Sequence, residues 1–265
     1  MIILLPIGGK GSRFKEAGYE VSKPCILTTD RHSGEKLPMI LCAMKDIFGI
    51  NNPRNKIICV DLFLHSQNGT EDLIKKNYPQ TIFINDNIQL DQAYGCYLAK
   101  DYLNSDEDLF IGASDNGFEC DLDDFQNAKS EFDVLMLSHS NDENIANNPF
   151  AHSYAKVQNN SKILTELSLK TPISLNPIND HATTGMFWFK KSSFFLKNLE
   201  KMIANQDHID GKYYVDNVLN YCIKDNLKVG YFDVKYICFG TPFDYENYEN
   251  TINYWRKFVI KNNVI

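Results

Sequence analysis

The stretch LLPIGGKGSRFKEAGYEVSKPCI, residues 4–26, sets the tightest limit on the fold. An unbroken apolar run, Ile2–Ile7, stops in three glycines within four positions, Gly8, Gly9 and Gly11. A run with no polar alternation reads as a strand buried on both faces, the kind found in parallel sheets covered by helices. Further short apolar runs follow at Lys56–Phe63, Thr81–Ile84, Leu109–Gly112 and Val134–Ser138, with helix-period segments around Met39–Phe48, Glu71–Asn77 and Asp91–Leu103 between them. This alternation predicts an α/β fold with a mostly parallel central sheet and helices on both faces.

After residue 150 the texture becomes more mixed. SYAKV, KILTELSL and ATTGMFWFK read as strands, with Phe187 and Phe189 as core, and a polar LNPIND loop lies among them. Helices are expected near Ser192–Asn205, Tyr213–Lys224 and Tyr245–Ile260, and a strand near Val229–Asp233. There is no linker, internal repeat or low-complexity tract, so residues 1–265 are expected to form a single domain, a length that buries a sizeable core.

Composition narrows the partners. A net charge of −7 and a pI near 5.4 argue against nucleic acid, whose phosphate backbone needs a basic face. A small phosphorylated substrate needs only a few local cations. The seven cysteines are scattered, with no metal-like spacing, and read as reduced thiols. The first apolar run is too short for a signal segment, and no later run approaches the ~18 residues of a membrane helix. The expectation is a cytoplasmic protein with no membrane partner. The histidines show no ligand spacing and none is assigned to chemistry.

The glycines after the first strand would let backbone N–H groups approach an anion without interference from Cβ atoms. The G-x-G-x-x-G fingerprint fails, because position 14 is Phe, and a G-x-x-x-x-G-K-[ST] loop is absent. What remains is G-x-G-S-R-F, with Lys-Pro ten residues after the Arg. An ordinary strand-to-helix turn could use the same glycines, but the Lys-Pro spacing separates the two readings. The combination resembles the signature of the sugar-1-phosphate nucleotidylyltransferases, the NDP-sugar pyrophosphorylase-like family, whose fold is Rossmann-like and related to GT-A enzymes. The resemblance implies that Gly8, Gly9, Gly11 and Ser12 wrap the nucleotide. Arg13 would grip the β- and γ-phosphates, and Lys23 would contact the transferred phosphate. Two anions must be forced together in such a reaction, so cations of these types fit the need.

Four later segments extend the resemblance in the family's order. DLFIGASDNGFECD matches a G-D-N motif with Ser114 in place of Gly, and implies that Asp115 binds Mg²⁺. Asp-Asn-Gly is also a good turn sequence. IQLDQAYGCYLAK matches a G-Q-A segment, which gives Gln92 the reading of the base edge, with Gln89 nearby and Asp91 where Gly is usual. LSLKTPIS with ATTGMFWFKK implies Lys170, Thr184 and Gly185 on the sugar-phosphate side, with Leu169 where an acidic residue is usual. GKYYVDNVLN would bring Tyr214 and Asp216 to the acceptor end. In YICFGTPFDYENY the family's second metal-binding Asp is replaced by Cys238, which leaves Asp115 alone or with Asp233 or Asp244 as substitute.

The implied reaction joins an NTP and a sugar 1-phosphate, or a similar phosphomonoester such as a choline-like phosphate, into an NDP-sugar or its analogue and pyrophosphate. Mg²⁺ is the implied cofactor, surface-polysaccharide synthesis the implied setting, and a homo-oligomer is compatible with both. A GT-A-type glycosyltransferase would use Asp115 but leaves Arg13 and Lys23 unexplained and lacks a D-x-D motif. A non-catalytic nucleotide-binding module is the reading that Cys238 keeps open.

Overall fold

The first strand, β1 (Ile2–Pro6), runs through the middle of the sheet, and Ile2, Ile3, Leu4 and Leu5 are all fully buried. The computed structural model of the chain describes residues 1–9, 11–62, 68–86 and 91–262. Phe63, His65 and Gln89 lie outside the described residues.

After β1 come β2 (Leu27–Thr29), β3 (Lys36–Pro38), β4 (Lys56–Leu62), β5 (Thr81–Asp86) and β6 (Leu109–Ile111). β1 pairs in parallel with β4 and β6, and β4 with β5, giving a parallel half in the order β5-β4-β1-β6. The later strands are β7 (Asn116–Glu119), β8 (Val134–His139), β9 (Tyr154–Val157), β10 (Leu164–Ser168), β11 (Ala182–Phe189), β12 (Val229–Asp233) and β13 (Lys235–Cys238). β11 joins the halves by lying antiparallel to both β6 and β8, and β8 takes β12 in parallel. With β9 and β10 at one edge the sheet has nine strands, and the β2–β3 and β7–β13 ribbons stand outside it.

Among the described residues the α-helices are α1 (Ser12–Glu16), α2 (Met39–Lys45), α3 (Thr70–Asn77), α4 (Gln92–Tyr97), α5 (Lys100–Leu103), α6 (Leu122–Glu131), α7 (Glu143–Asn147), α8 (Ser192–Ala204), α9 (Val215–Lys224) and α10 (Pro242–Asn262). They cover both faces, which is why β1 needs no polar residue. Ile2 and Leu4 pack with Ala93 and Cys96 of α4, Phe195 and Leu199 of α8 and Val218 of α9. Ile3 and Leu5 pack with Ile40 of α2, Ile74 of α3 and Phe125 of α6. Each such fully buried side chain contributes about 1.5–3 kcal/mol. Phe187 and Phe189 are fully buried in the first of these cores.

Several expectations are corrected. The segment 91–103 is two helices rather than one, because Leu98 and Ala99 close tighter turns onto Gly95 and Cys96. The segment from Met39 leaves the helix after Lys45. The final helix begins at Pro242 instead of Tyr245, with the Thr241 hydroxyl 3.2 Å from the Asp244 N–H and Pro at the first helical position. α6 and the two ribbons were not anticipated. α6 buries only Phe125, too little for an apolar period, and its start is fixed by Asp121, which accepts from the Asp123 and Asp124 N–H groups.

Candidate active site

A cleft of about 760 Å³ opens where β1 and β6 end. Ligands bind at the carboxyl ends of strands in open α/β sheets, because loops there are free to vary while the strands fix their roots. Segments far apart in sequence meet in this cleft, among them the glycine loop with α1 and Lys23, the turn holding Ser114 and Asp115, and Gly240 after β13.

Gly8, Gly9, Gly11, Ser12 and Arg13 all line it. Gly11 has φ +62° and precedes α1, and a Cβ there would lie 2.9 Å from the Cβ of Lys23. Glycine is therefore required twice over, by conformation and by space. α1 is short and held by a single buried side chain, Phe14, which meets Tyr19 and Tyr245 edge-on at 5.1 and 6.2 Å. Arg13, next to that anchor, is exposed and has no ion-pair partner among the described residues.

Lys23 is placed differently. Its side chain is 14% exposed, and Nζ donates to Asp115 Oδ2 and, at 2.8 Å, to the Gly240 carbonyl. The two side chains thus pair in a partly buried wall of the cleft. A Cβ on Gly240 would lie 3.0 Å from Asp115 Oδ2, so the carboxylate would have to shift by a few tenths of an ångström to admit it. Gly240 lies in the YICFGTPFDYENY stretch, but nothing in the sequence shows that its carbonyl holds the lysine.

Gln92 is the first residue of α4 and lines the cleft. Asp91 before it caps the helix by accepting from the Tyr94 N–H at 3.1 Å, and its other oxygen accepts from the Tyr213 N–H at 2.8 Å. Asp91 thus ties the 211–214 loop to the cleft wall, where Gly211, Lys212, Tyr213 and Tyr214 are found. Of these only Tyr214 was expected; an Asp at the start of an apolar helical segment was the available signal.

The remaining sequence candidates do not line the cleft. Lys170 has Nζ 5.2 Å from the Tyr214 ring centre, donates to the Ala151 carbonyl at 2.7 Å and lies 3.9 Å from Asp216. Asp216 is buried and accepts from the Ser153 hydroxyl at 2.6 Å. These two form a cluster behind Tyr214. Thr184 is buried, with its hydroxyl donating to the Leu137 carbonyl, and Gly185 (φ +80°) sits with it where the register of β11 shifts. Open space surrounds the position a Gly185 Cβ would take.

Neither proposed substitute for the second acidic residue reaches the cleft. Asp233 is held by the Ser138 hydroxyl and His181 at 2.6 and 2.9 Å, and Asp244 accepts from Thr241 at 2.6 Å. Cys238 pairs with Asn116 across the β7–β13 ribbon. Burial, then the charges of Asp244 and Asp115, push its thiol up to about 12, and a soft sulfur is in any case a poor partner for a hard cation such as Mg²⁺. Among the described residues no three His, Cys, Asp or Glu side chains gather as a metal cage. Among the described residues the cleft is lined by two carboxylates, Asp91 and Asp115, and Asp91 is engaged by the Tyr94 and Tyr213 N–H groups, which leaves Asp115 as the hard oxygen donor. That set fits a Mg²⁺ carried largely by phosphates and water, and not one held by protein alone.

No family model matches the sequence, and no curated protein matches it. Solved structures do match in fold. A nucleoside-diphosphate-sugar pyrophosphorylase from Vibrio cholerae RC9 superposes with a TM-score of 0.73 at 17% identity, over 94% of this chain and 99% of that one. The inositol-1-phosphate CTP transferase from T. maritima gives 0.65 at 16% identity, over 94% and 93%. A UTP-bound UGPase from Acinetobacter baumannii gives 0.67 at 12% identity, over 96% and 92%. The chain shares their fold. That fold is the Rossmann-like, GT-A-like α/β architecture of nucleotidyltransferases, as the glycine-loop resemblance implied.

Proposed function

We propose that the chain is a nucleotidylyltransferase that joins an NTP to a sugar 1-phosphate, or a similar phosphomonoester, with release of pyrophosphate. The observation that carries this reading is the convergence of Arg13, Lys23 and Asp115 with the glycine loop on one cleft. An acceptor phosphate oxygen attacks the α-phosphorus, the bond from that phosphorus to the β-phosphate oxygen breaks, and pyrophosphate takes the electron pair. The acceptor is itself the nucleophile, so no covalent bond to the protein forms.

Arg13, exposed at the loop and without an ion-pair partner among the described residues, is placed to fork onto the β- and γ-phosphates and neutralise the leaving pyrophosphate. Lys23, already poised in the wall, would turn from Asp115 to the transferred phosphate. Asp115 would then hold Mg²⁺, which supplies charge neutralisation between the phosphates when bound. Gln92 can present an amide donor and acceptor to a base edge. Tyr214, backed by Lys170 and Asp216, would face the acceptor. The fold neighbours are an NDP-sugar pyrophosphorylase, an inositol-1-phosphate CTP transferase and a UGPase, which supports the reaction class while leaving base and acceptor open. No helix among the described residues is long and apolar enough to cross a membrane. The setting we propose is the supply of NDP-sugar for surface polysaccharide in the cytoplasm.

The test is a pyrophosphate-release assay of ATP, CTP, GTP, UTP and dTTP, each against a panel of sugar 1-phosphates and phosphocholine, with Mg²⁺. Release that requires both substrates supports the reading. Nucleotide binding without release from any pair would overturn it in favour of a binding module.

A further inference from the structure

The last helix, α10, is fixed to the body along one side. The Tyr245 and Tyr248 hydroxyls donate to the Leu27 and Thr29 carbonyls at 2.7 and 2.6 Å. Glu249 accepts from the Thr29 N–H and hydroxyl at 2.6 and 2.7 Å, and Arg256 donates to the Gly34 carbonyl at 2.7 Å. One face of the helix therefore grips β2, β3 and the turn between them. The opposite side carries a second row at helical spacing: Phe243, Asn247, Asn250 with Thr251, Tyr254 and Phe258. Every member is exposed, Phe243 at 58%, Tyr254 at 62% and Phe258 at 42%. Tyr254 and Phe258 stack with ring centres 6.5 Å apart, so they form one patch. The solvent side of a helix is ordinarily charged, and an aromatic row about 22 Å long, at ~1.5 Å per residue, marks an interaction surface.

The positions in the row say what fits it. They are symmetric about the point between Asn250 and Thr251: Phe243 mirrors Phe258, and Asn247 mirrors Tyr254. Two copies of the helix laid antiparallel about a two-fold axis through that point would set Phe243 against Phe258 and Asn247 against Tyr254 of the other copy. The smaller Asn250 and Thr251 would meet at the centre, where the helices come closest. The charges agree with this arrangement. Glu246 and Lys257 flank the row on the same edge, both are exposed, and neither is in an ion pair among the described residues. Antiparallel pairing brings Glu246 of each copy beside Lys257 of the other, twice over. A parallel pair would leave them about 16 Å out of step, at ~1.5 Å per residue. Only a second copy of this chain matches both the symmetry and the reciprocal charges.

We propose that α10 pairs antiparallel with the α10 of a second copy, giving a two-fold dimer whose seam is the row from Phe243 to Phe258. No residue of α10 lines the cleft, and the proposal does not depend on the reaction carried out there. So short a seam lies at the small end of specific interfaces, below ~1,200 Å², and its dissociation constant should be on the order of 10 μM.

Sedimentation velocity of the full chain, over a concentration series spanning that value, tests it. The mass should rise from monomer to dimer. Phe243→Glu and Tyr254→Glu, both at exposed positions, should each raise the dissociation constant about tenfold or more, with the melting temperature of the monomer unchanged. Glu246→Lys and Lys257→Glu should each weaken the dimer roughly fivefold, and the double variant should recover it, because the reversed pair attracts again. Thr251→Cys, treated with a short bis-maleimide, should cross-link copy to copy, whereas Asn253→Cys, off the row, should give no more than the wild-type background. A chain that stays monomeric at every concentration refutes the proposal. So does a dimer that survives Phe243→Glu and Tyr254→Glu, or a charge-swapped double variant no tighter than its single parents.

Discussion

Gly11→Ala asks whether the glycine loop positions Lys23 or merely turns the chain. Two costs can be separated. Alanine at φ +62° and ψ 27° is strained by about 1–2 kcal/mol, whatever surrounds it. The added methyl would also stand 2.9 Å from Lys23 Cβ, closer than two carbons can sit, so one of them must move. Lys23 is the one with consequences, because its Nζ is held between Asp115 and the Gly240 carbonyl. A shift of several tenths of an ångström there misplaces a cation at the reacting phosphate, and misplacement by about 1 Å costs on the order of a hundredfold in rate.

Gly18→Ala is the control. Gly18 also has positive φ, +88°, but a Cβ there would meet nothing within 4 Å. Both variants should therefore lose about 1–2 kcal/mol, a fall of roughly 2–8 °C in melting temperature for a chain of this size. Only Gly11→Ala should also lose kcat/KM, by about tenfold or more in pyrophosphate release. Equal, near wild-type kcat/KM in both variants would refute the claim that the loop places Lys23.

The remaining expectations concern single groups. Arg13→Ala should leave the melting temperature unchanged, since Arg13 is exposed and unpaired among the described residues, yet lower kcat by roughly a hundredfold, about 3 kcal/mol of lost charge stabilisation. Asp115→Asn should abolish Mg²⁺-dependent pyrophosphate release across a Mg²⁺ titration, because an amide is a poor partner for a hard cation; activity at ordinary Mg²⁺ would place the metal elsewhere. Acid should weaken the fold in two stages. Burial, with the His139 and Lys170 charges, holds His152 down at about 4, and although burial alone would raise Asp30, hydrogen bonds from Lys45 and Ser33 bring it to about 2. Both folded values lie below the unfolded ones, so each group's stabilisation is complete at neutral pH and is lost as pH falls, from about 6.5 to 4 for His152 and from about 4 to 2 for Asp30. Urea melts at stepped pH should show both declines, and Asp30→Asn should flatten the lower one.

How far the sequence reveals the molecule depends on how local each signal is. β1 was legible because burial on both faces leaves an uninterrupted apolar run, and Gly11 because its loop demands a residue without a side chain. The same holds for β11, whose Phe187 and Phe189 are core. α6 was not legible, since a helix resting on Phe125 alone has no apolar period to detect. The β7–β13 ribbon joins residues more than a hundred positions apart, and neither partner alternates cleanly. In the site, residue types pointed to Arg13, Lys23 and Asp115, but only the fold shows that Lys23 and Asp115 bond each other through a contact completed by the Gly240 carbonyl. Resemblance alone also grouped Thr184, Gly185, Lys170 and Asp216 with the cleft, whereas the fold sets them behind or beside it.

Cys238 is where the chain departs most from the pattern it resembles, and the structure turns that departure into a measurable quantity. Its Sγ would lie 3.6 Å from a Cβ built on Gly240, and Asp115 Oδ2 would lie 3.0 Å from the same point, so thiol and carboxylate flank one spot. Asp244 is a further acidic neighbour, as its effect on the thiol shows. Cys238→Asp would place a new carboxylate beside two existing ones in a half-buried position where the one nearby cation, Lys23, is already paired with Asp115, at a cost of about 1–3 kcal/mol. The melting temperature should therefore fall by several degrees in EDTA. With Mg²⁺ at about a hundred times its dissociation constant, binding would return about 2.7 kcal/mol and restore most of the loss. The wild-type chain, offering Asp115 alone, should show little change in melting temperature on the same addition without nucleotide. If Mg²⁺ leaves the Cys238→Asp variant as unstable as EDTA does, then positions 115 and 238 do not share a cation. The reading of Asp115 as the protein's one metal ligand would then have to rest on the nucleotide-bound state alone.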